Sequence, residues 1–228
     1  MVAVKKMKIA AIFLLICVFS HHAYAEISLV KSDDIAKIKG ARFIDASSLT
    51  SCLNRSIEGA TCVPFETFLD EQGELSSFRD IQWALGTVSV GNEDPLFVFS
   101  KNIEDTYAIA GLFHLAGVRH VYVWEGNPEK LFSFLQAGFG KTRSIVRETY
   151  FSNPIRIQHL IHSQNLKDKK YQDWSTVNVE RPIRSEKNTI LIGNDMKKIF
   201  SHFTSLILKS RKHILLSVEA MAVPYGRG

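Results

Sequence analysis

The sequence has few cysteines and only one long apolar run. Of its three cysteines, Cys17 falls inside that run, and Cys52 and Cys62 lie too far apart for C-x-x-C spacing. The absence of that spacing excludes a thioredoxin-type redox pair. The apolar run, 9–19, is well short of the roughly 20 residues that a membrane-spanning helix needs. We therefore expect no stable membrane anchor.

The N-terminus has the pattern of a cleavable signal peptide. Three lysines precede the apolar run, and Ala23-Tyr24-Ala25 follows it with the small-x-small spacing of a signal-peptidase site. We predict that residues 1–25 form a signal peptide cleaved after Ala25. The mature protein is then expected to be periplasmic or secreted.

The net charge of the mature chain is small. The whole sequence carries +5, and removal of the three signal-peptide lysines leaves +2 (+5 − 3). The basic balance of the full chain therefore belongs mostly to the leader and gives no reason to expect nucleic acid as a partner.

Cys52 and Cys62 have two alternative interpretations. In an oxidising compartment two cysteines favour a disulfide, and a bridge between these two would close a loop of about ten residues. The other interpretation is that one or both are reactive thiols. A disulfide requires the two Cα atoms to lie within about 7 Å of each other, and the sequence spacing alone does not decide whether they do.

Residues 96–127 indicate the fold class. LFVF is apolar throughout, as expected for a strand buried on both faces. Residues 106–117 then show a helical apolar stripe ending in Gly117, and VYVW follows as a second buried strand. Strand, helix and strand with short connections predict a right-handed parallel crossover. The sequence therefore predicts an α/β fold with a central parallel sheet flanked by helices.

The loop between that first strand and the helix is the candidate functional segment. It comprises Ser100, Lys101, Asn102, Ile103, Glu104 and Asp105. A loop at the carboxyl end of a buried parallel strand is where α/β proteins commonly bind ligands. We predict that Asp105 is the N-cap of a helix starting at Thr106, with Glu104 adding favourable charge near the helix N-terminus.

Four short segments in order resemble the rhodanese-like (sulfurtransferase) domain family. The segments 43–47 (FIDAS) and 56–60 (SIEGA) resemble its Asp-x-Arg entry and its His-Ile-Pro-Gly-Ala turn. Val63-Pro64 falls where the family has Ile-Pro, and 123–127 (VWEGN) resembles its closing Glu-Gly motif, with 131–138 as the helix that follows. The resemblance implies a rhodanese-like domain over residues 26–140.

The resemblance also implies where the chemistry would lie. Active members end the central strand with a cysteine, and loop amides and a helix N-terminus surround its sulfur. Here that position is Ser100. A persulfide cannot form on oxygen, and Ile103 and Asp105 stand where the family often has glycine and arginine. Lys101 keeps a positive charge. The loop is therefore interpreted as degenerate, which implies a pseudoenzyme that acts as a binding or scaffold module for a protein partner, without a cofactor.

Two enzymatic alternatives stay open at this stage. Cys62 or Cys52 could reach the same face of the domain and support sulfur transfer or thiol redox chemistry. Ser100 as an activated nucleophile would need a base, for which His114 and His120 are candidates only by their proximity in sequence.

Residues 141–228 form a C-terminal extension with a second strand-helix-strand pattern. Shifted by 94 residues, it overlays the earlier one without a gap, placing Asn194 on Ser100 and Glu219 on Glu125. This is either a degenerate second rhodanese-like unit or an unrelated βαβ element. His159 and His162 are spaced for one helical face, but no third ligand is evident, so we expect no metal site.

Overall fold

The computed structural model describes residues 26–38, 40–180, 188–209 and 213–217. The predicted signal peptide and Glu219 lie outside the described residues. No helix within the described ranges is long and apolar enough to cross a membrane.

The N-terminal part alternates strands and helices. Its elements are, in chain order, β1 (Glu26–Leu29), β2 (Arg42–Asp45), α1 (Leu49–Asn54), β3 (Ser56–Ile57), β4 (Thr61–Cys62), α2 (Phe78–Thr87), β5 (Leu96–Phe99), α3 (Ile103–Ala116), β6 (His120–Val123), α4 (Pro128–Leu131) and β7 (Ala137–Gly138). Short 3-10 helices cover Ser32–Lys37 and Phe65–Phe68.

A five-stranded sheet of order β1-β6-β5-β2-β4 organises this part. All of its neighbouring strands are parallel. The four residues of β5 are buried, as the apolar run predicts for a central strand. The predicted α/β class with a central parallel sheet is confirmed, and the carboxyl ends of β2 and β5 lie side by side because Asp45 is in register with Phe99.

One predicted helix is wrong. Residues 131–138 were expected to be helical, but α4 ends at Leu131 and β7 pairs antiparallel with β3. In that pairing Ile57 faces Ala137. Glu58 N also donates to Gln136 O at 2.9 Å. The pairing of this segment with the SIEGA turn replaces most of the helix that the family resemblance implies.

The C-terminal part forms a second sheet. Its elements are β8 (Leu160–Ile161), β9 (Ser175–Asn178), β10 (Thr189–Ile192), α5 (Met196–Lys209) and β11 (Ile214–Ser217). The predicted strand-helix-strand pattern is confirmed. The sheet is parallel, with order β8-β11-β10-β9. In both sheets the strand that comes first in the sequence lies at one edge, and the last, third and second of the four compared strands follow it across the sheet. The four compared strands of the first sheet are β1, β2, β5 and β6.

The end of β9 repeats a detail found at the end of β2. Asp45 Oδ1 accepts a hydrogen bond from Ser47 N at 2.9 Å, and Asn178 Oδ1 accepts one from Glu180 N at 2.9 Å. Both are turns in which a side chain binds the amide two residues on. The same kind of turn therefore follows β2 in the first sheet and β9 in the second.

Helices α3 and α5 join the two parts through a close contact at Gly111. A Cβ at Gly111 would lie 2.6 Å from Thr204 Oγ1 and 2.8 Å from Phe200 O. Thr204 Oγ1 donates to Tyr107 O at 2.8 Å, so it is fixed in place. Hydrophobic residues from both parts belong to one buried cluster, which includes Ile109 of α3 and Phe200 and Phe203 of α5.

We expect Gly111→Ala to destabilise the protein by about 1 to 2 kcal/mol. Overpacking costs about 1 to 3 kcal/mol, and the better helix propensity of alanine returns up to about 1. Urea denaturation of residues 26–228 measures the change. Gly91→Ala is the control, because the nearest atom to its new Cβ is Asp94 Oδ2 at 3.3 Å. Equal stability of the two variants would contradict the close contact.

Candidate functional site

The side chain of Ser100 is enclosed at the carboxyl end of β5. The residue is 4% exposed. Its Oγ lies 3.2 Å from Ser47 Oγ and accepts a hydrogen bond from Asn102 N at 3.2 Å. Lys101 N is directed at Ser47 Oγ from 3.4 Å. Two hydroxyls and two loop amides therefore form a small polar cluster between β2 and β5.

Asp45 positions Ser47 in this cluster. Its carboxylate is buried, with Oδ1 accepting from Ser47 N and Oδ2 accepting from Ser56 Oγ at 2.7 Å. The predicted family segments at 43–47 and 56–60 are therefore joined through one carboxylate. The direct contact between Ser47 and Ser100 was not foreseen, because it joins residues 53 positions apart.

The predicted N-cap at Asp105 is wrong. Helix α3 begins at Ile103, and its N-cap is Asn102, whose Oδ1 accepts from Glu104 N at 3.1 Å. Asp105 instead places its Oδ1 2.5 Å from Lys197 Nζ on α5, and Lys197 also pairs with Glu66 at 3.3 Å. The ion pair with the second part of the chain takes the place of capping. The predicted C-cap at Gly117 is confirmed, with φ of 119°.

A cavity of about 620 Å³ opens beside the loop. Its lining comprises Ser100, Lys101, Asn102, Ile103, Glu125, Gly126, Asn127, Pro128 and Glu129. Glu125 accepts a hydrogen bond from the Tyr107 hydroxyl, and Glu129 accepts one from Arg55 at 2.7 Å. Because Arg55 offsets the charge of Glu129, the lining keeps one carboxylate, Glu125, and one ammonium group, Lys101, and it has no excess positive charge to attract an anion such as thiosulfate.

Cys52 and Cys62 form a disulfide. Their Cα atoms lie 5.7 Å apart, and the residues are 0% and 3% exposed. A Cβ at Gly140 would lie 2.5 Å from Cys62 Sγ, so the backbone at Gly140 covers the bridge. Neither cysteine lines the cavity beside Ser100. Of the two interpretations of the pair, the disulfide is the one that the structure contains.

Replacing both cysteines with alanine is expected to lower the free energy of unfolding by about 2 to 3 kcal/mol. The bridge closes a loop of ten residues, and its removal restores that conformational entropy to the unfolded chain. Urea denaturation measures the loss. Residues 26–228, unfolded without reductant, should show no free thiol. Two titratable thiols would contradict the bridge.

The histidines proposed as bases lie away from Ser100. His114 is eleven residues after the start of α3, or about 16 Å along a helix. His120 begins β6, whereas Ser100 follows the carboxyl end of the parallel neighbour β5. The structure therefore does not bring either residue to the Ser100 hydroxyl.

The predicted absence of a metal-ligating role for His159 and His162 stays a prediction. Within the described ranges, no group of three histidine, cysteine or acidic side chains is placed to hold a metal ion. His159 has a packing role, with Nδ1 3.1 Å from Ile214 O and its ring centroid 5.3 Å from that of Phe203.

Comparison with known proteins finds similarity only at the level of structure. No family model matches the sequence, and no curated protein matches it. The 3-mercaptopyruvate sulfotransferase SseA of Escherichia coli has a similar structure, with a TM-score of 0.65 and 13% identity, over 84% of this chain and 98% of that one. The 3-mercaptopyruvate sulfurtransferase of Leishmania major has a TM-score of 0.51 and 14% identity, over 69% of this chain and 47% of its own. The chain therefore has the rhodanese fold.

Proposed function

We propose that this protein is a secreted or periplasmic rhodanese-fold binding module without sulfurtransferase activity. The observation that carries the proposal is the buried Ser100 at the end of β5, where the resemblance places a cysteine. A hydroxyl is not appreciably ionised near neutral pH, and oxygen cannot carry the persulfide on which sulfur transfer depends.

The surroundings of Ser100 support this proposal. Its oxygen already accepts an amide hydrogen bond and lies against Ser47 Oγ. The adjoining cavity has no excess positive charge to attract an anionic sulfur donor, because Glu125 offsets Lys101 and Arg55 offsets Glu129. A serine-based hydrolase is disfavoured as well, because a nucleophilic serine needs a base within hydrogen-bond reach and neither His114 nor His120 is placed there.

The alternative function is sulfur transfer or thiol redox chemistry through Cys62 or Cys52. The likeness to SseA and to the Leishmania major enzyme favours this class, since both are named for 3-mercaptopyruvate chemistry. The bridge argues against it, because both cysteines are oxidised and buried. A reactive thiol needs access and an electropositive setting that stabilises the thiolate.

Secretion is the second component of the proposal. The signal-peptide pattern of residues 1–25 and the disulfide both fit an oxidising compartment. Residues 141–228 would be a degenerate second rhodanese-like unit. The matching strand order and the paired turns at Asp45 and Asn178 support that assignment.

A sulfur-transfer assay of residues 26–228 tests the proposed function. Thiosulfate and 3-mercaptopyruvate serve as donors and a thiol as acceptor, with Ser100→Ala as the matched control. We expect wild type and Ser100→Ala to be equally inactive. Transfer by wild type that disappears in the Cys52→Ala/Cys62→Ala variant would overturn the proposal in favour of the thiol enzyme.

A further inference from the structure

The outer face of α2 carries polar and aromatic side chains at helical spacing. Arg79, Gln82, Trp83 and Gly86 follow i, i+3, i+4 and i+7, so they share one face. The opposite face is buried in the core and includes Phe78, Ile81 and Leu85. Trp83 is 41% exposed although it belongs to an otherwise well-packed helix.

Residues 144–153 cross this face as a strap. Glu148 N and Thr149 N both donate to Gly86 O, at 3.0 and 3.2 Å. Gln82 Nε2 donates to Asn153 O at 2.6 Å and anchors the other end. A Cβ at Gly86 would lie 2.6 Å from Arg147 Cδ, so glycine is what permits the close approach. The strap is therefore fixed against α2 at two points.

A cleft of about 770 Å³ lies between α2 and the strap. Arg79 and Trp83 line it from the helix, and Arg147 and Tyr150 line it from the strap. The Arg147 guanidinium lies 5.3 Å from the centroid of the Tyr150 ring, and Tyr150 is 71% exposed. The volume is within the range of about 300 to 1,000 Å³ that is typical of ligand sites.

The cleft has an excess of positive charge. Within the described residues, neither Arg79 nor Arg147 forms an ion pair with a carboxylate. The carboxylate in the lining is Asp80, and its Oδ2 already accepts a hydrogen bond from the Ser77 hydroxyl at 2.7 Å. Two guanidinium groups beside two exposed aromatic rings form a surface to which carboxylates and an apolar or aromatic side chain are complementary.

We propose that this cleft binds an acidic segment of a partner protein in which carboxylates flank an aromatic side chain. The inference rests on the proposed binding role, for which it names the surface and the chemistry of the partner. Guanidinium groups bind carboxylates in a bidentate manner, and Trp and Tyr provide large contact area with few rotatable bonds. The cation–π contact at Tyr150 places Arg147 beside the aromatic surface before any partner binds.

Fluorescence anisotropy with labelled hexapeptides tests the inference on residues 26–228. The probe alternates glutamate with phenylalanine, and the comparison peptides alternate lysine with phenylalanine and glutamate with serine. We expect the first peptide to bind and the other two to bind at least about tenfold more weakly, because each lacks one half of the complementary chemistry.

Two variants of the cleft test the same inference from the side of the protein. Trp83→Ala and Arg79→Glu should each lower the affinity for the first peptide by about tenfold. Lys169→Glu is the matched charge reversal at an exposed position outside the cleft, and it should leave the affinity unchanged.

Three results would overturn the inference. They are no binding of the glutamate–phenylalanine peptide, equal binding of the lysine–phenylalanine peptide, or equal weakening by Arg79→Glu and Lys169→Glu. The sulfur-transfer assay on the same wild-type sample separates the two proposals. A protein that fails to bind peptide but also transfers no sulfur contradicts only the assignment of this cleft.

Discussion

Ser100→Cys is expected to convert the protein into one that accepts a single sulfur atom from thiosulfate. The new thiolate would attack the outer sulfur of thiosulfate, forming Cys–S–S⁻ and releasing sulfite. The amide of Asn102, which is 3.2 Å from the present Oγ, and the N-terminus of α3 would lower the pKa of the thiol. Intact mass measurement under non-reducing conditions should show one added sulfur per chain, with an equal amount of sulfite.

Ser100→Ala is the control for this experiment, and it should add no sulfur. Alkylation of the Ser100→Cys variant before exposure to thiosulfate should block loading. If the variant is alkylated but gains no sulfur, the loop lacks the geometry of a sulfur cradle, and the relation to sulfurtransferases is limited to the fold. The cause to examine then is the charge of the cavity, starting with Glu125→Gln.

Lowering the pH from 7.5 to 5 is expected to destabilise the protein by about 2 kcal/mol through His114. The side chain is 4% exposed, and burial, followed by the charges of Arg156 and His159, lowers its pKa from 6.5 to about 3. The unfolded chain therefore binds a proton that the folded chain excludes. The contribution of neutral His114 to the free energy of unfolding is fully present above pH 6.5, and it is lost as the pH falls from 6.5 towards about 3. At pH 5, which is about 1.5 units below the unfolded pKa of 6.5, the free energy of unfolding is lower by about 2 kcal/mol, since each pH unit contributes about 1.4 kcal/mol.

Urea denaturation of wild type and His114→Leu at both pH values measures this contribution. On going from pH 7.5 to pH 5, the free energy of unfolding of His114→Leu should fall by about 2 kcal/mol less than that of wild type. His202→Leu on α5 is the control, and it should keep the wild-type loss. Burial also lowers the pKa of His159, so some pH dependence should persist in His114→Leu. An unchanged loss in His114→Leu would contradict the assignment to this residue.

The sequence was sufficient to predict the elements whose signals are local. The apolar run of β5, the glycine that ends α3 and the strand ending at Asp45 are all confirmed. Each depends on residues within a few positions of one another. The structure then adds that β2 and β5 are neighbours, with Asp45 in register with Phe99.

The details that sequence reasoning missed are long-range. Asp105 is a suitable N-cap residue, but Asn102 caps α3, and Asp105 pairs with Lys197 on α5, a partner that nothing near it in the sequence indicates. In the same way, the family resemblance implies a helix over 131–138, but part of that segment is extended because β7 pairs with β3. The turn after β9 that resembles the turn at Asp45 is formed by Asn178, and no sequence motif indicates it.

The enclosure of α3 determines how the chain can be divided. From Thr106 to Ala116 the helix is buried on every side, and α5, from the C-terminal part, supplies one of those sides. A chain cut at Gly140 would expose Gly111 and the apolar residues around it to water. We therefore expect that a cut at Gly140 would not separate two independently stable parts, also because residues 144–153 pack on α2 of the first part. The two parts should unfold in one cooperative transition, and the first part expressed alone should aggregate.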